Sequence, residues 1–159
     1  MTSHYFDSSA LVKLYVPEKG SKWVLSILQA IGADGYPAHQ LAFAKIGIVE
    51  VASALARLER QNEIPVEKRR SLYASFMRDN QSRFRLLGLT DDILHLAARL
   101  TYRTVLRSYD AVHLAAALTL NQQLASAGLP PLIFITADDQ LYEAAIHQGL
   151  AADNPNHHP

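Results

Sequence analysis

The sequence predicts an α/β fold: a three-layer α/β/α sandwich around a small, mainly parallel sheet. Short apolar runs alternate with longer segments whose apolar residues have helical spacing. The run at residues 132–136 is apolar almost throughout, which is typical of a strand covered on both faces of a parallel sheet. Acidic residues follow two of the predicted strands, where a parallel sheet gathers its ligand-binding edge.

The first half of the chain contains two predicted strands and three predicted helices. In order, these are a strand at 4–6, a helix at 8–15, a helix at 22–31, a strand at 40–44 and a helix at 47–61. Pro17 ends the first helix, because proline lacks the backbone N–H that a helix interior needs. Asn62 and Pro65 end the third helix for related reasons.

The second half continues the alternation. Its predicted elements are a helix at 66–81, a strand at 84–89, a helix from Thr90 through Leu100, a helix at 108–125, the strand at 132–136 and a helix ending at His147. Thr90 and Ser108 are expected to cap the two middle helices at their amino ends. We expect residues 1–152 to form one domain, and residues 153–159 to be a polar, disordered tail.

Composition limits the possible functions. With 159 residues and 49% hydrophobic content, the chain can build the core of one domain. The absence of cysteine excludes disulfides and cysteine-ligated zinc. With neither a signal-peptide pattern nor a long apolar run, a cytoplasmic protein without a membrane span is expected. The net charge is +0, but every arginine lies between Arg57 and Arg107, so basic charge is concentrated in the middle of the chain.

Four acidic residues occupy comparable places in the pattern. Asp7 and Asp138 each follow a strand and lead into a helix, while Glu50 and Asp110 lie in the first turn of a helix. For any one of them, stabilisation by the helix dipole or by capping is a sufficient explanation. Together they are expected at the same edge of the sheet, where carboxylates repel one another unless a cation lies between them. Hard oxygen ligands of this kind favour Mg²⁺ or Mn²⁺.

The segments that carry these acids resemble a known family. They are YFDSSALVK at residues 5–13, IVEVASAL at 48–55, DAVHLAAA at 110–117 and FITADDQL at 134–141. In this order and spacing they resemble the PIN-domain ribonucleases, in particular the VapC-like toxins of type II toxin–antitoxin pairs. The similarity extends over nearly the whole chain.

The resemblance implies a metal-dependent endoribonuclease that acts on RNA, is inhibited by a cognate antitoxin and forms a homodimer. It implies that Asp7, Glu50, Asp110 and Asp138 are the catalytic, metal-binding acids for Mg²⁺ or Mn²⁺. Asp139 is the alternative fourth acid. Ser9 matches a small polar position that orients Asp7 or holds a metal-bound water, although an ordinary first-turn serine is an equal alternative. Thr136 matches a polar position beside the acids, and helix capping would also explain it.

Several alternatives remain open from the sequence alone. Arg57 shares a helix face with Glu50 and could bind a substrate phosphate or pair with that acid. His113 could contact substrate or metal, or be a partly buried histidine bonded to backbone. A phosphatase of the haloacid-dehalogenase kind also places Asp after its first strand, but needs a second Asp where this chain has Ser9. A non-catalytic PIN-like module that binds RNA or protein is the non-enzymatic alternative.

Overall fold

The computed structural model describes residues 1–158 and contains one sheet of five parallel strands. The strands are β1 (Thr2–Phe6), β2 (His39–Ala44), β3 (Phe84–Leu87), β4 (Ile133–Ile135) and β5 (Ala151–Asp153). Their order across the sheet is β3-β2-β1-β4-β5, and every neighbouring pair is parallel. The predicted α/β class with a parallel sheet is confirmed.

Within residues 1–158, seven α-helices connect and cover the strands. They are α1 (Ser8–Val12), α2 (Ser21–Gln29), α3 (Gly47–Arg60), α4 (Val66–Ser82), α5 (Asp91–Arg103), α6 (Ser108–Ser126) and α7 (Asp139–His147). The first helix ends at Val12, three residues earlier than the sequence predicted. The cap predicted at Thr90 is confirmed, because its hydroxyl accepts a bond from the backbone N–H of Ile93. The cap predicted at Ser108 is wrong: Ser108 is already the first helical residue, and Arg107 precedes it in an extended conformation.

The strands bury side chains on both faces of the sheet, as the apolar runs predicted. Because successive side chains of a strand point to opposite faces, the buried rings of Tyr5 and Phe6 enter two different cores. Tyr5 lies in the core formed with α5, α6 and α7, whereas Phe6 lies in the core formed with α1 to α4. The result is the three-layer α/β/α sandwich.

The strand order determines where a ligand can bind. The chain builds the sheet outward from β1 through β2 to β3, and then pairs β4 with the other side of β1. Ligands of open parallel sheets bind at the carboxyl ends of strands where the order reverses in this way. At this point the backbone N–H of Asp7 donates to the carbonyl of Ile135 at 3.1 Å, so the ends of β1 and β4 are adjacent.

The carboxyl-terminal segment corrects the expectation of a disordered tail. Residues 151–153 add strand β5 beside β4, and a short 3-10 helix follows at Pro155–His157. Asn154 and Pro155 are buried, and His158 stacks on Trp23 with ring centroids 4.1 Å apart. Pro159 lies outside the described residues.

The packing of this segment depends on Gly20 at the start of α2. Gly20 has φ +81°, and a Cβ there would lie 2.2 Å from the carbonyl oxygen of Pro155. Glycine therefore permits both the backbone conformation and the close approach.

None of the helices in residues 1–158 combines the length and apolarity that a membrane span requires.

Candidate active site

A cleft of about 820 Å³ lies at the carboxyl edge of the sheet, and all four predicted acids line it. Asp7 comes from the end of β1, Glu50 from α3, Asp110 from α6 and Asp138 from the amino end of α7. The sequence-based expectation that these carboxylates share one edge of the sheet is therefore met by the geometry.

Asp7 is the most deeply placed of the four, with only 3% of its surface exposed. Its Oδ1 accepts a bond of 3.0 Å from the backbone N–H of Ala10, so Asp7 also caps α1. Its Oδ2 accepts a bond of 2.8 Å from the hydroxyl of Thr136. Burial raises the pKa of the Asp7 carboxyl, and the bonds from Ala10, Ser9 and Thr136 act in the opposite direction by stabilising the charged form.

Ser9 and Thr136 connect Asp7 to the turn between β4 and α7. The Ser9 hydroxyl lies 2.8 and 2.9 Å from the two carboxylate oxygens of Asp7 and accepts the N–H of Ala137 at 2.8 Å. Thr136 donates to Asp7 and accepts the N–H of Asp138 at 3.1 Å. The hydroxyls therefore hold the Asp7 carboxylate, while the cap of α7 is Asp138, which accepts from the N–H of Leu141.

Glu50 is held through both of its carboxylate oxygens. The hydroxyl of Ser8 donates to Oε1 at 3.2 Å, and Nε2 of His113 lies 2.6 Å from Oε2. His113 is buried, as one sequence-based alternative expected, but its two ring nitrogens contact the side chains of Tyr5 and Glu50, so the expected backbone partner is wrong. The sequence signal for His113 was its position one turn after Asp110 on α6, which places both side chains on the same side of the helix.

Arg107 joins the two remaining acids. Its guanidinium lies 3.3 Å from Asp110 and 3.1 Å from Asp138, although its own side chain is 81% exposed. Burial raises the pKa of Asp110; the positive charge of Arg107 opposes this shift, and the negative charges of Asp138 and Glu50 add to it. Arg107 could not be identified from the sequence alone, because its role depends on which acids the guanidinium at the end of a flexible side chain reaches.

The two remaining sequence-predicted residues lie in different places. Asp139 is not part of the cleft wall; its carboxylate accepts a 2.7 Å bond from the side-chain amide of Asn154. The geometry therefore favours Asp138 over Asp139 as the fourth acid. Arg57 lines the cleft, but within residues 1–158 no ion pair joins it to Glu50.

The donor chemistry of the cleft fits a hard divalent cation. Its acids offer carboxylate oxygens, which Mg²⁺ and Mn²⁺ prefer, and the raised pKa of Asp110 reflects burial and the nearby acids. No three His, Cys, Asp or Glu side chains of residues 1–158 are already close enough together to hold a metal ion. In the cleft, oxygens of the acids contact neighbouring side chains, which are Ser9, Thr136, His113 and Arg107.

Comparisons with known proteins agree with this geometry. A family model described as PIN domain matches residues 4–146. Ribonuclease VapC47 of Mycobacterium tuberculosis is 30% identical over 95% of this chain and 96% of its own length. Ribonuclease VapC45 of the same species is 30% identical over 89% of this chain and 88% of its own.

Solved structures share the fold at lower identity. FitAcB from Neisseria gonorrhoeae superposes with a TM-score of 0.64 at 18% identity, covering 96% of this chain and 98% of the other. VapBC2 from Rickettsia felis, solved with a DNA fragment from its promoter, gives 0.63 at 12% identity with the same coverage. With its acids at the carboxyl edge of a parallel sheet and a family match over most of its length, this chain belongs to the PIN domain family.

Proposed function

We propose that this protein is an endoribonuclease that hydrolyses phosphodiester bonds of RNA, and that it is the toxin of a type II toxin–antitoxin pair. One observation carries the proposal: four carboxylates, brought from four separate elements, line a single cleft in a chain of the PIN domain family. Two relatives at 30% identity are named ribonucleases, which supports the reaction class.

The proposed cofactor is Mg²⁺ or Mn²⁺, held by Asp7, Glu50, Asp110 and Asp138. When bound, such an ion activates a water and neutralises the charge that develops on the phosphoryl group. The protein's own contribution is to fix the acids. Ser9 and Thr136 keep the Asp7 carboxylate in place at the end of β1, and a strand end is a firmer support than a loop.

Cationic side chains of the same cleft give the substrate a binding surface. Lys19, Arg57 and Arg60 line its wall together with the acids. A polyanionic RNA strand that reaches the carboxylates would pass these cations, whose attraction to phosphates is sequence-independent and weakens with salt. We therefore assign Arg57 a role in binding substrate phosphate, as the sequence suggested.

The proposal includes partners. One solved structure with the same fold is titled a toxin–antitoxin complex from Klebsiella pneumoniae, with a TM-score of 0.54 at 20% identity. By analogy, we propose a cognate antitoxin. From the resemblance of the sequence to the VapC-like toxins we also propose a homodimeric toxin, and from its composition a cytoplasmic location. Co-expression with the product of the neighbouring reading frame tests the first point: growth arrest caused by this protein alone should be relieved by that product.

Two measurements separate the proposal from its alternatives. Purified protein with Mg²⁺ should cleave a structured RNA into fragments, whereas a phosphatase would release phosphate and leave the strand intact. A non-catalytic module should bind RNA without cutting it and should show no Mn²⁺ binding that Asp110→Asn abolishes in calorimetry. The phosphatase alternative is further weakened because Ser9, not Asp, occupies the position it requires, and Ser9 is bonded to Asp7.

A further inference from the structure

A buried chain of hydrogen bonds ends at one of the candidate acids. The backbone N–H of Ala44 lies 3.1 Å from the hydroxyl oxygen of Tyr5, which lies 3.0 Å from Nδ1 of His113. Nε2 of His113 lies 2.6 Å from Oε2 of Glu50. Tyr5 and His113 are 0% and 1% exposed, so water does not compete for the two bonds of the Tyr5 hydroxyl, whereas Glu50 lines the cleft. The chain connects β2, β1, α6 and α3.

The chemistry of the groups favours one set of bond directions. A backbone N–H can only donate, so the hydroxyl oxygen of Tyr5 accepts from Ala44. The one hydroxyl proton of Tyr5 is then available to His113 Nδ1, which must be unprotonated to accept it. The ring proton is therefore on Nε2, where it is donated to the Glu50 carboxylate.

The other protonation states of His113 fit less well. The Nδ1–H tautomer would set the lone pair of Nε2 against a carboxylate at 2.6 Å and would leave the Tyr5 hydroxyl proton without an acceptor in the core. The doubly protonated ring keeps the bond to Glu50 but also leaves that proton without an acceptor. Buried polar groups without partners are destabilising, so the contacts select the neutral Nε2–H tautomer.

We propose that His113 is a positioning residue, with Tyr5 setting its tautomer, and that it orients the Glu50 carboxylate toward the cleft. The inference rests on the proposed function, in which Glu50 is a metal ligand. A glutamate side chain has several rotatable bonds, and Ser8 alone holds only Oε1. A second donor on Oε2 fixes the carboxylate plane, as outer partners of metal-binding carboxylates do.

A matched pair of substitutions tests the positioning role. The side-chain N–H of Gln in His113→Gln can reach the position of Nε2 and donate to Glu50. The shorter side chain in His113→Asn ends near the position of Nδ1 and contacts Tyr5 but not Glu50. We expect His113→Asn to weaken Mn²⁺ binding about 10- to 100-fold in calorimetry, and His113→Gln to stay within a few-fold of wild type.

Folding is separated from positioning by measuring the unfolding of both variants. If His113 only fills and stabilises the core, the two variants lose stability but bind Mn²⁺ equally, and the proposal is wrong. Glu50→Gln distinguishes a failure of the proposed function from a failure of the inference about His113. If Glu50→Gln binds Mn²⁺ like wild type, the assignment of Glu50 in the proposed function fails. If Glu50→Gln weakens Mn²⁺ binding but His113→Asn binds Mn²⁺ like wild type, only the inference about His113 fails.

The tautomer gives a readout that needs no metal. Nitrogen NMR of the imidazole at neutral pH should show His113 as the Nε2–H tautomer, and Tyr5→Phe should shift the Nδ1 resonance, because the hydroxyl donor to Nδ1 is gone. An Nδ1–H ring in the wild type would overturn the proposal. So would a spectrum that Tyr5→Phe leaves unchanged.

Discussion

The hydroxyl of Thr136 donates a hydrogen bond of 2.8 Å to Oδ2 of Asp7, although 129 positions separate the two residues in the sequence. The bond exists because β1 and β4 are neighbours in the sheet, so that their carboxyl ends are adjacent. Asp7 is thus held by its own helix through Ala10 and, through Thr136, by the segment that follows the distant strand β4. The candidate site and the sheet are stabilised by the same contact.

Removing this hydroxyl should destabilise the fold. Thr136→Val keeps the shape of the side chain but takes one donor from a buried carboxylate, and hydrogen bonds to charged groups contribute roughly 1.5–3 kcal/mol. We expect the free energy of unfolding in urea at pH 7 to fall by about that amount. Thr136→Ser retains the hydroxyl and is the control. Equal stability of the Val and wild-type proteins would show that the bond contributes nothing.

The titration of Asp7 should give stability a particular pH dependence. Because burial raises the pKa of Asp7 above its usual 3.8, the folded protein retains this proton at pH values where the unfolded chain has lost it. Stability should therefore fall, relative to Asp7→Asn, as pH rises from about 4 through the raised pKa. Urea unfolding with a chelator present, at a series of pH values, measures this. If the free energy of unfolding of the wild type instead increases relative to that of Asp7→Asn as pH rises, the predicted direction is wrong.

His4 should act in the opposite direction. Burial, together with the nearby ring of His39, lowers the pKa of His4 from 6.5 to about 4. The unfolded chain therefore takes up a proton at a higher pH than the folded protein, and stability is lost as pH falls from about 6.5 to 4. The loss relative to His4→Phe should reach about 3 kcal/mol at most. If the two proteins show parallel stability over this window, His4 does not titrate as described.

Arg107 should compete with a divalent cation for two of the acids. Its guanidinium contacts Asp110 and Asp138, and exposed ion pairs of this kind contribute about 0.2–1 kcal/mol each. Arg107→Ala should therefore bind Mn²⁺ more tightly, by up to roughly ten-fold, in calorimetry. Arg57→Ala is the matched control, since Arg57 lines the same cleft without contacting either acid through an ion pair in residues 1–158. Weaker binding to Arg107→Ala would mean that this side chain supports the metal site.

The gathering of the acids was predictable because it depends on a general rule and on strong local signals. The apolar run that contains Phe134 indicates a strand buried on both faces, and parallel strands place their carboxyl ends at one edge. Once the strands are recognised, Asp7 and Asp138 must lie near each other. Both the capping and the functional interpretations of these residues are compatible with the structure, because each caps a helix and also lines the cleft.

Other features depend on distances that no local pattern contains. Strand β5 has only three residues. The carboxyl-terminal segment is structured because β5 pairs with β4 and because His158 stacks on Trp23. Neither contact can be read from a polar, proline-containing sequence, which is typical of a disordered tail. The contact between His113 and Glu50 requires α3 and α6 to approach across the cleft. The link from Arg107 to Asp138 crosses 31 positions through a flexible side chain.

If Asp7 belongs to the catalytic centre of a metal-dependent endoribonuclease, RNA cleavage must depend on both Asp7 and the metal ion. The most direct test incubates wild-type and Asp7→Asn protein with a structured RNA in Mg²⁺ buffer, with a chelator added to a parallel sample. We expect discrete fragments from the wild type with Mg²⁺ alone, and intact RNA with the chelator or with a normally folded Asp7→Asn protein. Equal cleavage by wild type and Asp7→Asn, or wild-type cleavage that survives the chelator, would contradict this expectation.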